Sequence, residues 1–194
     1  MVPEVRLEKL APNANHQGVI GILSAITYQP LEEVILSVIG KGEIPFFMAL
    51  DGVTDVRNFG AIARTAECMG AHALIIPAHG SAAVNADAVK TSAGALHHLP
   101  VCREAHLVDS LMLLQAYDIK SVACTEKASD TIHQVDLKTP SCLIMGSEEK
   151  GISSSILKRA DHLVRIPMYG KVGSLNVSVA AGMIMAEAVR QRTT

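Results

Sequence analysis

Short apolar runs and stretches of helical spacing alternate along almost the whole chain. Continuous apolar runs predict strands at Val19–Ala25, Pro45–Leu50, Ala73–Pro77, Leu99–Cys102, Ser121–Cys124, Ser141–Met145 and Leu163–Ile166. Helices are predicted between them, near Leu31–Ile39, Gly60–Met69, Ala86–Ala93, Val108–Tyr117 and Ser153–Arg159. In the Gly60–Met69 helix, Ile62, Thr65, Ala66 and Met69 share one face at i, i+3, i+4, i+7 spacing. After the polar turn Gly173-Ser174-Leu175-Asn176, a final helix is apolar on almost every side. Such a helix is expected to be covered all round, by its own sheet or also by a second subunit. Alternation at this spacing predicts an α/β fold, a mostly parallel sheet with helices on both faces. The segment up to Asn15 is polar, contains two prolines, and reads as a linker or frayed arm. No internal repeat, low-complexity tract or second domain is visible.

Composition narrows this picture. The 194 residues, 49% hydrophobic and 19% charged, suit one ordinary globular domain that buries a core without disulfides. Apolar runs such as Leu143–Met145 and Val179–Met185 are too short to span a bilayer, and the N-terminus has no apolar signal-peptide core. Cys68, Cys102, Cys124 and Cys142 have neither metal-ligand nor disulfide spacing, which predicts reduced, mostly buried thiols in a cytoplasmic protein. The net charge of −2 argues against a surface that grips nucleic acid all over, so any such contact must be local or lie elsewhere. Aromatic residues make up 3%, with no Trp, which disfavours a base-stacking platform.

In parallel sheets ligands bind beyond the carboxyl ends of the strands, so the loops that leave strands carry the candidate chemistry. The first loop leads through Asn58 and Gly60 to Arg64. Asn58 is a candidate helix N-cap, and Arg64 falls about 200° from Ile62, away from the apolar stripe. Two readings follow: a solvated Arg64 paired with Glu67, or Asn58 and Arg64 converging on an anionic or ribose-bearing ligand. The second loop, Met145–Gly151, has Gly146 at a strand end and Glu148 ahead of the next helix, where a carboxylate is favoured. It is neither a dinucleotide G-x-G-x-x-G fingerprint nor a P-loop. In the third, Ser174 and Asn176 can cap the last helix or hold a ligand at its electropositive end. His97 and His98 beside Cys102 match no standard metal site, so no metal is expected. The eight methionines read as core filler. Lys150, Lys158, Arg159 and Lys171 read either as a basic rim near the pocket or as ordinary solvated surface.

Taken together, the three loops resemble the three motifs of the SpoU (TrmH-type) branch of the SPOUT RNA methyltransferases. The first is Asn58-Phe59-Gly60 followed by Arg64, the second is Gly146-Ser147-Glu148 running to Gly151, and the third is Ser174-Leu175-Asn176-Val177-Ser178 with Ala180. The resemblance covers about Asn15 to Arg192. NHQGV (Asn15–Val19) and SAGALHHLPV (Ser92–Val101) are similar to the bacterial branch that methylates a guanosine ribose in large-subunit ribosomal RNA. Longer members of that branch carry a small RNA-recognition domain first. This chain begins near their linker, as a catalytic fragment or a short member would, with residues 16–194 as the catalytic domain.

The resemblance implies transfer of the methyl of S-adenosylmethionine to a ribose 2′-hydroxyl, an α/β fold with a deep C-terminal trefoil knot, and a homodimer. Small residues Ala180, Ala181 and Gly182 in the last helix suit dimer contact, although packing on the chain's own sheet explains them nearly as well. The implied cofactor residues are Met145, Gly146, Ile166, Met168, Ser174 and Leu175. The implied catalytic residues are Asn58, Arg64, Glu148, Ser174 and Asn176. Because a guanidinium keeps its proton in proteins, Arg64 suits gripping a phosphate and stabilising the developing alkoxide better than acting as a base. The expected substrate is a guanosine of 23S ribosomal RNA. Alternatives are transfer RNA, an idle RNA-binding or ribosome-assembly module of the same fold, and an unrelated dehydrogenase-like nucleotide enzyme, which the missing glycine fingerprint disfavours.

Overall fold

The structure is a computed structural model that describes residues 25–194 and, before them, Lys9, Gln17, Val19 and Ile20. The expected arm over residues 1–15 and strand over Val19–Ala25 therefore lie, but for isolated positions, outside the described residues. In chain order the elements are α1 (Leu31–Gly40), β1 (Phe46–Asp51), α2 (Val56–Cys68), β2 (Ala73–Pro77), α3 (Ala86–Thr91), β3 (Val101–Glu104), α4 (Leu107–Ala116) and β4 (Lys120–Cys124). They continue with β5 (Asp130–Thr131), β6 (Ser141–Gly146), α5 (Ser154–Leu157), β7 (His162–Arg165) and α6 (Val177–Thr193).

All strands pair in parallel in one seven-stranded sheet of order β3-β2-β1-β6-β4-β7-β5. The central strands β1 and β6 are buried along almost their whole length, as a strand covered on both faces must be. Alternate side chains serve two layers. Phe46, Met48, Leu50, Leu143 and Met145 pack under α2, α3 and α6, while Phe47, Ala49, Cys142 and Ile144 pack under α1, α4 and α5. From β1 the chain steps outward through β2 to β3, whereas from β6 it crosses β4 to reach β7. The loops leaving β1 and β6 thus part at the point where Asp51 pairs with Gly146, and a crevice opens there.

Helix α6 runs back across the sheet and is fixed at its far end by Arg192. That guanidinium donates to the carbonyls of Leu137, Thr139, Ile44 and Pro45 and to Ser141 Oγ at 2.9–3.2 Å, and lies 4.6 Å from the centre of the Phe46 ring. The expectation that α6 is covered all round is met on its inner side only: Val179 and Met183 remain about half exposed (51% and 47%), and Ala186, Arg190 and Thr193 continue the same exposed stripe to the end of the helix. Among the described residues no helix is long and apolar enough to cross a membrane.

Several boundaries differ from the sequence expectations for local reasons. Helix α2 begins four residues before Gly60, because Asp55 and not Asn58 is its N-cap, with Asp55 Oδ1 accepting from the Asn58 amide at 2.7 Å. Its buried positions are Phe59, Gly60, Ile62, Ala63 and Ala66, with Thr65 and Met69 half-buried at the flank. The expected helix over Ser153–Arg159 is a single turn, because Ile156 alone on it is buried. Of the thiols, Cys102 and Cys142 are buried and Cys124 half-buried, whereas Cys68 is exposed. Burial pushes Cys102 up to about 12 and Cys124 to about 11, so both stay protonated near neutral pH.

Buried Glu187 joins α6 to the 132–137 segment. It accepts from Arg190 at 2.8 and 2.9 Å and from Gln191 at 2.8 Å, and Gln191 in turn accepts from the Leu137 amide at 2.9 Å. The Arg190 hydrogen bonds above all, with Gln191 and the charges of Arg190 and His133, outweigh burial and hold Glu187 down to about 2 from the ordinary 4.5. A carboxylate lowered in this way contributes stability that is present above pH 4.5 and is lost as pH falls toward 2. In urea unfolding, the stability gap between wild type and Glu187→Gln is expected to be widest above pH 4.5 and to close on acidification. A gap independent of pH contradicts this account.

Candidate functional site

Two loops and one helix start meet at the crevice. After β1, Gly52 turns with φ +79°, Asp51 Oδ2 accepts from the Ser153 amide at 2.7 Å, and the Val53 carbonyl accepts from Ala82 at 2.9 Å. These ties set the position from which Asp55 starts α2. Because Asp55 caps the helix, the Asn58 side chain is free to face other partners.

After β6, Ser147 and Gly151 exchange backbone hydrogen bonds at 3.1 and 2.9 Å, and the Lys150 amide donates to Ser147 Oγ at 3.1 Å. This clip presents Glu148, Glu149 and Lys150 at its tip. It closes directly over Gly146, where any Cβ would run into the Gly151 carbonyl carbon and the Ile152 amide. The strand end therefore has room for glycine alone.

Glu148 Oε1 is the hub of the site. It accepts from Asn176 Nδ2 at 2.7 Å, from Asn58 Nδ2 at 3.2 Å and, more distantly, from the Val177 amide at 3.4 Å. Asn176 Nδ2 also donates to Asn58 Oδ1 at 3.0 Å, which closes the triangle. Asn176 Oδ1 caps α6 by accepting from the Ser178 and Val179 amides. Glu148 was expected to serve the helix that follows it in sequence; it sits instead at the N-terminus of α6, where the helix dipole favours its charge. All three side chains keep solvent contact.

Behind this triangle lies a cavity of about 490 Å³. Met145, Gly146, Glu148, Ile166, Met168, Ser174 and Leu175 all line it, together with Cys124–Lys127, Ala180 and the rest of the Ser147–Gly151 clip. The expected cofactor residues thus share one space. The loop after β4, which supplies Thr125, Glu126 and Lys127, was not singled out in the sequence, although it too leaves a strand at its carboxyl end. Arg64 stands apart. Six residues beyond Asn58 on α2, it lies about 9 Å further along the axis and about 120° round it. It is exposed and makes no hydrogen bond or ion pair among the described residues, so the Arg64–Glu67 pairing is not formed. No cluster of three or more potential metal ligands occurs among the described residues.

A parallel α/β sheet with a ligand-sized cavity at its switch point, walled by a polar triangle, defines a small-molecule-binding α/β protein. Its family is more specific. The profile described as the SpoU rRNA Methylase family matches residues 45–186, and the chain belongs to that family. It is 41% identical, over 97% of its length and 77% of the relative's, to the 23S rRNA (guanosine-2'-O-)-methyltransferase RlmB of Photorhabdus laumondii. Among solved structures, it resembles the SpoU methyltransferase AviRb from Streptomyces viridochromogenes in complex with the cofactor AdoMet. That match has a TM-score of 0.77 and 29% identity, over 87% of this chain and 66% of that one. It also resembles the A. aeolicus TrmH/SpoU tRNA modifying enzyme, with a TM-score of 0.71 and 31% identity, over 84% of this chain and 85% of the other. The chain thus spans about three quarters of the RlmB relative and just under two thirds of AviRb.

The clip over Gly146 gives a direct test. Gly146→Ala forces the Ser147–Gly151 bridge apart, so hydrogen exchange at the Ser147 and Gly151 amides is expected to accelerate by at least about tenfold, the equivalent of about 1.4 kcal/mol. Unchanged protection at both amides contradicts the packing described.

Proposed function

We propose that this chain transfers the methyl group of S-adenosylmethionine to the 2′-hydroxyl of a guanosine ribose in 23S ribosomal RNA. The observation that carries this reading is the Asn58–Glu148–Asn176 triangle standing at the edge of a cavity lined by every expected cofactor residue. The likeness to RlmB supports ribosomal RNA as the substrate.

The lining suits the cofactor. Met145, Ile166, Leu175 and Ala180 offer apolar surface for an adenine ring, and Gly146 brings bare backbone to the rim. Glu126 on one hand, and Lys127 and Lys150 on the other, offer both signs of charge for a zwitterionic amino-acid tail. When bound, S-adenosylmethionine would supply an activated methyl whose S–C bond breaks as the 2′-O–C bond forms, leaving a neutral thioether, while the hydroxyl proton passes to solvent at the open rim, so the remaining work is alignment. The Asn58 and Asn176 amides orient the ribose, and Glu148 fixes both amides. Ser174 and Leu175 hold the turn that shapes the cofactor side. Arg64, exposed and with no partner among the described residues, is available to grip a phosphate of the RNA and to stabilise charge developing on the 2′-oxygen.

The same reading covers the chain's larger organisation: residues 16–194 form the catalytic domain, residues 1–15 lead into it, and the protein works in the cytoplasm. A deep trefoil knot is proposed for the C-terminal part. Its support is that Ile166, Met168 and Gly173–Leu175 of the connection from β7 to α6 line the cavity together with the loop after β4 and the loop after β6. A homodimer through α6 is supported by Val179 and Met183, exposed apolar side chains four residues apart on one side of the helix.

Incubation with tritiated S-adenosylmethionine is expected to label a guanosine 2′-oxygen in 23S ribosomal RNA and to leave transfer RNA unlabelled. Label in transfer RNA alone overturns the substrate assignment. Arg64→Lys is expected to lower kcat by about 100-fold or more across pH 6 to 9, the cost of losing one oxyanion donor with the right geometry. A lysine variant that keeps most of the rate refutes this role for Arg64.

A further inference from the structure

A second cavity, of about 500 Å³, lies on the other side of the Ser147–Gly151 clip, between it and the loop after β1. It shares Ser147–Lys150 and Val177 with the first cavity, so Glu148 stands in the wall between the two. Its charged lining is Asp55, Glu148, Glu149 and Lys150, with Thr54 and Asn58 beside them. Three carboxylates against one ammonium disfavour a phosphate here and favour a group rich in N–H donors.

Asp55 is held ready for such a group. Its Oδ1 takes the Asn58 amide at 2.7 Å, which fixes the plane of the carboxylate, while Oδ2 has no partner among the described residues. Glu149 also makes no hydrogen bond or ion pair among them. Of the four RNA bases, guanine alone carries two adjacent N–H donors, N1–H and N2–H₂, on its Watson–Crick edge. Adenine and cytosine place an acceptor beside their amino group, and uracil flanks its single N–H with carbonyls. A carboxylate can take both guanine donors in a charge-assisted pair.

We propose that this second cavity is the acceptor subsite, in which the target guanine is read through its N1–H and N2–H₂ edge by Asp55, assisted by Glu149. The ribose of the same nucleotide then lies at the open edge of the wall formed by Asn58, Glu148 and Asn176, where its 2′-oxygen meets the methyl donor held in the first cavity. The inference rests on the methyltransferase reading above and deepens it, because it names the group that selects the nucleotide. A base displaced from its stack into a fitted pocket is a general solution for chemistry on a single nucleotide.

The test compares 23S ribosomal RNA fragments that carry guanosine or inosine at the position the wild-type protein methylates. Inosine keeps N1–H and the ribose but lacks the 2-amino group. Wild type is expected to favour guanosine by about 5- to 150-fold in kcat/KM, the range for one bidentate base contact. Asp55→Asn retains the helix cap, since Asn caps as well as Asp. It is expected to bind S-adenosylmethionine in calorimetry as wild type does, yet to shrink the guanosine preference to about threefold or less. A preference unchanged in both Asp55→Asn and Asp55→Asn/Glu149→Gln, or a wild type indifferent to inosine, overturns the subsite while leaving the methyltransferase reading intact. Loss of cofactor binding in Asp55→Asn assigns Asp55 to the first cavity and overturns it too. A wild type that methylates neither RNA removes both proposals.

Discussion

One carboxylate oxygen holds the site together. Glu148 Oε1 gathers donors from segments 90 and 28 residues away in sequence, and Asn58 and Asn176, 118 residues apart, bond each other across it. Each bond lies near solvent and contributes only about 0.5–1.5 kcal/mol, or somewhat more where the carboxylate is a partner. The triangle therefore adds little to the stability of a fold whose cores lie elsewhere. It settles which way three otherwise independent side chains point.

The sheet makes that meeting possible. Because β1 and β6 are neighbours whose onward connections run in opposite directions, their outgoing loops part and leave room at the Asp51–Gly146 pair. Helix α6 brings the third member, and it is fixed at both ends. Asn176 both caps the helix and joins the triangle, while Arg192 fastens the last turn to the amino ends of β1 and β6. Gly146 completes the arrangement by allowing the Glu148 clip to fold directly over the strand end. The cavity on either side of the clip is a consequence of these ties.

Much of this was legible in the sequence, where a long apolar run or strong periodicity left one physical solution. The strands at 46–51, 73–77, 120–124 and 141–146 are runs that only a doubly covered sheet can bury, and α1, α4 and α6 lie where helices are expected between and after them. The three candidate loops were recognisable by their position after strands and by their motif residues. Finer placement was not legible, because local signals compete. Asp55 and Asn58 are both good caps within one turn, and only the tie of Asn58 to Glu148 shows which is free. Glu148 precedes one helix in sequence yet serves another in space, a pairing that no local pattern encodes. The two-residue β5 is too short to carry a period, and the expected Leu99–Cys102 strand lies at Val101–Glu104, where the pairing with β2 sets its register. The loop after β4 obeys the same strand-end rule as the others and was legible in principle.

The claim on which the account depends is that Asn58 and Asn176 act as one unit through Glu148. A double-mutant cycle with Asn58→Ala, Asn176→Ala and the pair, read as kcat/KM for methyl transfer to ribosomal RNA, tests it most directly. The account predicts a coupling of about 0.5–3 kcal/mol, the range for residues in one hydrogen-bond network. Effects that add within about 0.3–0.5 kcal/mol, as they do for distant independent sites, contradict it.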